Sequence, residues 1–177
     1  EMHLKFLNEY QKKLLIVSLV LAFFSAITVK IFINYLRLAG YEIKVNVTSS
    51  LPGRLWWINN RKITDFKKGD YFIFYAPNDK MLTNGESTPL LKMVAATAGD
   101  VISFNKTSLL INGVVSGHVW PKTIKGDLLH QIESQTITQG CYFAWTPALY
   151  SYDSRYTDIG IVCEKDQRII GSATSLF

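Results

Sequence analysis

The chain has 177 residues, 48% of them apolar, and a formal charge of +5. That length holds one domain with a sizeable core. The positive charges are scattered rather than gathered into a Lys/Arg run, which argues against a nucleic-acid-binding arm. The two cysteines, Cys141 and Cys163, form no C-x-x-C pair, and the three histidines lie far apart, so no structural zinc site is expected.

In chain order, a short tail (residues 1–13) precedes an apolar segment. Leu14 to Val29 carry no charge; Lys30 interrupts, and apolar character resumes to Leu36. A lysine near a helix end can snorkel, so residues 14–36 are expected to cross a bilayer of roughly 30 Å. Lys12 and Lys13 suit one interface; Tyr35, Arg37 and Tyr41 suit the other. A cleavable signal peptide would need a small-x-small site after the run, whereas Lys30-Ile31-Phe32-Ile33-Asn34 follows, so a retained anchor is expected. Lysines 5, 12 and 13 precede the span, and Lys30, Arg37 and Lys44 follow; charge does not fix the orientation.

From residue 37 to 177 the helical period is gone. Short β-rich runs at 41–47, 54–58, 70–76, 100–104, 108–113, 141–145, 159–162 and 168–173 are separated by turn residues. Gly-Asp at 69–70 and 99–100 precedes two of them, and Asn112-Gly113 suits a two-residue hairpin turn. The expectation is a mainly β barrel or sandwich. Residues 90–98 suit a helix or a strand equally, and 79–88 and 121–126 read as loops. Strands at 142–145 and 159–162 that set Trp145 near Gly160 would put Cys141 opposite Glu164, one residue from Cys163. A disulfide, or two small buried thiols, fits that placement.

The chemistry can be narrowed by elimination. A Ser-His-Asp triad needs a histidine beside a serine, but His3 precedes the span and His118 and His130 sit in polar connections without a motif. A serine activated by lysine remains, which requires an amine made neutral by apolar burial. Lys92 lies among Leu90, Leu91, Met93, Val94, Ala95 and Ala96; on a strand it would share a face with Leu90 and Val94. The plain alternative is a surface lysine on a strand edge. Ser50 stands just before Leu51-Pro52-Gly53, where proline keeps its predecessor extended and glycine permits a sharp turn. Thr48 would point to the same side as Ser50, its hydroxyl placed to hold an oxyanion with the Ser50 N–H. The plain alternative is an ordinary polar loop.

These boxes resemble the signal peptidase I superfamily and, within it, the conjugative-transfer branch that matures pilin precursors. Asn46, Thr48 and Ser50-Leu51-Pro52 are similar to its nucleophile box, and Lys92-Met93-Val94 with Ala98-Gly99-Asp100 to its lysine box. Ser151-Tyr152-Asp153-Ser154-Arg155-Tyr156 closely matches its Ser-x-Asp-Ser-Arg-Tyr box, and Asn112-Gly113 and Ile170-Gly171-Ser172-Ala173 follow in order. Arg54-Leu55-Trp56 and Ala95–Ala98 depart from the family pattern. Thr146-Pro147 stands where general leader peptidases have Gly-Asp-Asn, which points toward the conjugative branch.

The resemblance implies Ser50 as nucleophile, Lys92 as general base, and Thr48 with the Ser50 N–H as oxyanion hole. Ser151 would orient Lys92. Asp153 and Arg155 would brace their loop as an ion pair, or the aspartate would join the chemistry. It implies no cofactor and no metal. The implied partners are the lipid bilayer, a membrane-embedded pilin or exported-protein precursor with small residues at P1, and other conjugation-apparatus proteins, with no nucleic acid. The implied place is the bacterial inner membrane, catalytic domain on the periplasmic side. Two rival expectations are a general leader peptidase, which shares these residues, and a non-catalytic tethered scaffold, which would need neither Ser50 nor Lys92.

Overall fold

The computed structural model describes residues 8–46, 50–77 and 88–177. It divides into two compact units that meet between Tyr41 and Glu42.

The first unit is helix α1, Glu9–Leu38, which extends beyond residues 14–36 at both ends. Asn8 starts it with a reciprocal cap: its side chain accepts from the Gln11 N–H at 2.8 Å, and its own N–H donates to the Gln11 side chain at 2.9 Å. The helix is apolar on every side, with mean hydropathy 2.5 in its best window and no buried residue. Two of its hydroxyls bond back to the helix: Ser18 donates to the Leu15 carbonyl and Thr28 to that of Phe24. At 30 residues it is about 45 Å long, enough to cross a bilayer.

The second unit contains two antiparallel sheets. Its strands are β1 Tyr41–Val45, β2 Leu55–Asn59, β3 Tyr71–Tyr75, β4 Pro89–Ala96, β5 Val101–Asn105, β6 Ser108–Ile111, β7 Val114–His118, β8 Gln135–Thr136, β9 Cys141–Trp145, β10 Val162–Cys163 and β11 Ile169–Ser175. The larger sheet runs β1-β2-β11-β3-β4-β9-β10 and the smaller β7-β6-β5-β8. Residues 90–98, open between helix and strand by sequence, form β4 as far as Ala96, clasped by β3 and β9. Strand β3 is buried on both faces: Phe72 and Phe74 join a cluster with Phe66, Val94 and Ile159, while Ile73 joins Leu51, Trp56 and Ile58.

The turn residues behave as their chemistry requires. Asn112 and Gly113 both have positive φ (52° and 78°) and close a two-residue hairpin between Ile111 and Val114. The Asp100 carboxylate after Gly99 accepts from the Thr97 N–H, the Asn112 amide and the Lys68 ammonium. Burial pushes this carboxyl up, but those donors outweigh it and leave its pKa below the usual value. The Gly-Asp and Asn-Gly elements, 12 residues apart, thus brace one another. Gly171 is needed for space: a Cβ there would collide with the Asn59 carbonyl, where β11 bulges between β2 and β3.

Two expectations are corrected. Residues 159–162 were expected as a strand, but Ile159 and Gly160 fold back onto the Tyr156 carbonyl, and only Val162–Cys163 pair with β9. The register also differs by one: Cys163 faces Cys141 directly, and the two are joined by a disulfide. The Glu164 N–H bonds the Gly140 carbonyl, so the neighbouring Cys141–Cys163 position is the non-hydrogen-bonded one, where opposed Cα atoms come closest; here they are 4.0 Å apart.

Two outcomes are expected. Thiol labelling of the denatured, unreduced protein finds no free cysteine, and labelling after reduction finds both. Gly171→Ala lowers unfolding stability by about 1–3 kcal/mol, the usual cost of overpacking, measured by denaturant titration.

Candidate active site

Lys92 lies in the middle of β4, opposite Phe72 of β3. Strand alternation turns Lys92, Val94 and Ala96 to the covered side, and Lys92 is only 5% exposed. Its Nζ donates to Ser151 Oγ at 2.8 Å. Burial lowers its pKa from 10.5 to about 8; the Asp153 carboxylate pulls it up and the Arg155 guanidinium pushes it down. The result is an amine close to losing its proton at neutral pH.

The segment after β9 holds Ser151 in place. Asp153 and Arg155 are buried and form a two-pronged pair: Nε donates to Oδ1 at 2.8 Å and Nη2 to Oδ2 at 2.9 Å. The same Nη2 donates to the Ser151 carbonyl at 2.8 Å, and Nη1 donates to the His118 carbonyl on β7. Ser154 ties the segment to the larger sheet, accepting from the Ala144 N–H and donating to the Gly160 carbonyl. The Tyr156 hydroxyl accepts from the Trp120 N–H. Ser151 Oγ therefore reaches Lys92 from a backbone pinned to both sheets.

Ser50 arrives from the other side. Leu51 is buried against Trp56 and Ile58, anchoring the residue next to it. Gly53 has φ +91°, and a Cβ there would meet the Ser175 side chain and the Phe177 carbonyl. Asn46 closes the loop: its N–H bonds the Arg54 carbonyl at 2.7 Å and its amide reaches the Leu51 carbonyl at 3.4 Å. Thr48 lies outside the described residues.

Ser50, Lys92 and Ser151 line one cleft of about 690 Å³. Asn46, Thr88, Leu90 and Tyr150–Tyr152 complete much of its wall. Strand β9 pairs with β4 only from Met93 onward, so the Pro89–Lys92 edge facing the cleft has no strand partner among the described residues. Sequence reasoning missed two contributors. Asn46 belongs to the motif around Ser50, and the signal for its closing role is an Asx residue before a tight loop. The His118 contribution is a backbone carbonyl, which leaves no side-chain signature.

The sequence matches the signal peptidase family, peptidase S26, over residues 16–177. The chain belongs to that family, whose members are serine peptidases of the signal-peptidase type with a Ser/Lys dyad. It is a membrane peptidase of precursor proteins, and among the described residues α1 is the helix long and apolar enough to anchor it. A signal peptidase I from Enterococcus faecalis has a similar structure over 64% of this chain and 100% of its own, with 20% identity and a TM-score of 0.40. No curated protein matches the sequence.

The buried amine predicts a pH dependence of stability. Between about pH 8 and 10.5 the unfolded chain holds a proton at Lys92 that the folded chain has released, so folding strengthens as pH rises through that window. Relative to Lys92→Met, the wild-type protein gains roughly 3 kcal/mol across it, read from denaturant midpoints at each pH.

Proposed function

We propose that Ser50 is the nucleophile and Lys92 the general base of a peptidase that matures a pilin precursor for a conjugative-transfer or type IV secretion system. The observation that carries the dyad is a lysine 5% exposed, in hydrogen-bond contact with Ser151, on the wall of the cleft that Ser50 also lines. A buried amine with a pKa near 8 is a competent base, and among the described residues no histidine lines that cleft. The pilin assignment draws on the Ser50-Leu51-Pro52 box and on Thr146-Pro147 after β9.

The precursor lies extended along the open edge of β4, adding a strand with its small P1 residue at Ser50. Neutral Lys92 takes the Ser50 proton as Oγ attacks the scissile carbonyl. The oxyanion is held by the Ser50 N–H and the Thr48 hydroxyl. Lys92 passes the proton to the leaving amine, and the ester on Ser50 is resolved by water or by an amine of the substrate itself. Ser151 orients the Lys92 amine, and the Asp153–Arg155 pair positions Ser151. The domain faces the periplasm from the bacterial inner membrane. The Cys141–Cys163 disulfide supports that side, since such bonds persist outside the reducing cytoplasm. A general leader peptidase is the second reading, favoured by the family's own description as signal peptidases.

The test is incubation with a candidate pilin precursor, followed by intact mass. Ser50→Ala folds and stays in the membrane fraction but leaves the precursor whole. Lys92→Arg is equally inactive, because arginine remains protonated. In the wild-type enzyme kcat/KM climbs with pH to a plateau above about 8. Loss of the leader alone identifies hydrolysis; a further loss of one water identifies head-to-tail closure. Processing by either variant overturns the dyad, and cleavage of unrelated exported precursors with equal efficiency moves the assignment to leader peptidase.

A further inference from the structure

A second cavity, of about 290 Å³, lies on the far side of the Tyr150–Tyr152 wall from Lys92. All three wall residues line both spaces, so the cavity adjoins the cleft in which Ser50 and Lys92 stand. Its size is at the lower end of small-ligand cavities, fitting one or two side chains rather than a folded partner.

Four aromatic side chains, Trp120, Tyr150, Tyr152 and Tyr156, line it and hold one another in place. Trp120 stacks on Tyr150 with ring centroids 5.3 Å apart, and its indole N–H donates to the Leu149 carbonyl at 3.0 Å. Tyr152 stacks on buried Tyr156 at 5.7 Å and donates its hydroxyl to Asp158 at 2.8 Å. The opposite lip is a small hairpin, Pro121 to Leu129, closed by Leu129 N–H to the Pro121 carbonyl and Thr123 N–H to the Asp127 carbonyl. This lip presents Ile124, 82% exposed, between Lys122 and Lys125. Among the described residues neither lysine has a carboxylate partner. The nearby Asp127 carboxylate accepts instead from the Thr123 hydroxyl at 3.0 Å. An apolar, aromatic-walled space with two unpaired cations at its mouth matches a peptide side chain that is itself apolar and has an acidic neighbour.

We propose that this cavity is a second substrate subsite, which takes an apolar or aromatic side chain of the precursor next to an acidic residue, away from the scissile bond. The inference rests on the reading of the larger cleft as the place where the precursor is cut. It adds a specificity device that small residues at P1 cannot supply: a chain threaded along β4 reaches the second cavity by crossing the Tyr150–Tyr152 wall.

The test uses the full-length, detergent-solubilised chain carrying Ser50→Ala and fluorescein-labelled peptides that share one cleavage site. A Phe-Asp pair is moved along the peptide one residue at a time, against a Ser-Ser control. One register binds at least about tenfold tighter than the control by anisotropy, as expected for one buried aromatic side chain. The double variant Lys122→Glu/Lys125→Glu loses that preference and favours Phe-Lys in the same register; Ile124→Asp weakens it. Equal binding in every register, or a preference untouched by charge reversal, overturns the subsite. Cleavage by the protein with Ser50 intact is read separately. Cleavage without register preference removes the subsite and keeps the peptidase; register preference without cleavage does the reverse.

Discussion

The site depends on how one buried guanidinium is satisfied. Arg155 is 1% exposed, and its donors go to both oxygens of Asp153, to the Ser151 carbonyl and to the His118 carbonyl. Left unpaired, a charge at such depth would cost several kcal/mol. The fork geometry serves three partners at once, which a lysine ammonium could not do in the same plane. The pair also matters electrostatically for Lys92. Asp153 alone would hold the Lys92 proton on; Arg155 opposes it, so burial decides the outcome and the amine pKa falls to about 8.

That arrangement places a cost at the centre of the larger sheet. Val94 and Ala96, on the same face of β4 as Lys92, are fully buried, and an apolar residue at position 92 would pack there without desolvating a charge. The fold carries the lysine and offsets it locally. The disulfide closes the base of the segment from Cys141 to Cys163, which contains Ser151, Asp153 and Arg155. A cross-link over a loop of that size stabilises by about 3 kcal/mol, of the same order as the penalty of burying Lys92. The covalent clamp thus closes the stretch that carries Ser151, the hydrogen-bond partner of the buried lysine.

Much of this was legible because sheet periodicity is simple. The apolar flanks of Lys92 announced a buried strand position once β4 was known to be a strand, and Pro52-Gly53 announced the turn beside Ser50. Elements whose cause is not in their own side chains were not legible. Strand β8 is two exposed residues, Gln135 and Thr136, held by β5 rather than by any propensity. Residues 159–162 carry a strand-like apolar run, but Gly160 takes a positive φ of 62° and the chain wraps onto Tyr156. The one-residue register of β10 against β9 depends on which pair lacks hydrogen bonds, which no local pattern encodes. The His118 carbonyl lies 37 residues from the guanidinium it receives.

The wall at Tyr150–Tyr152 connects these constraints. Ser151 is fixed from within by Arg155 on its carbonyl and presents its Oγ to Lys92. Tyr150 on one side is stacked on Trp120, and Tyr152 on the other is stacked on Tyr156 and bonded to Asp158. The wall is therefore held most firmly at its buried middle residue, Ser151, while Tyr150 is 60% exposed. A side chain entering the proposed subsite would meet Ser151 already held in place. The Lys92–Ser151 hydrogen bond is already made in the chain alone, so in the proposed mechanism placing the precursor's carbonyl against Ser50 would be the remaining geometric task.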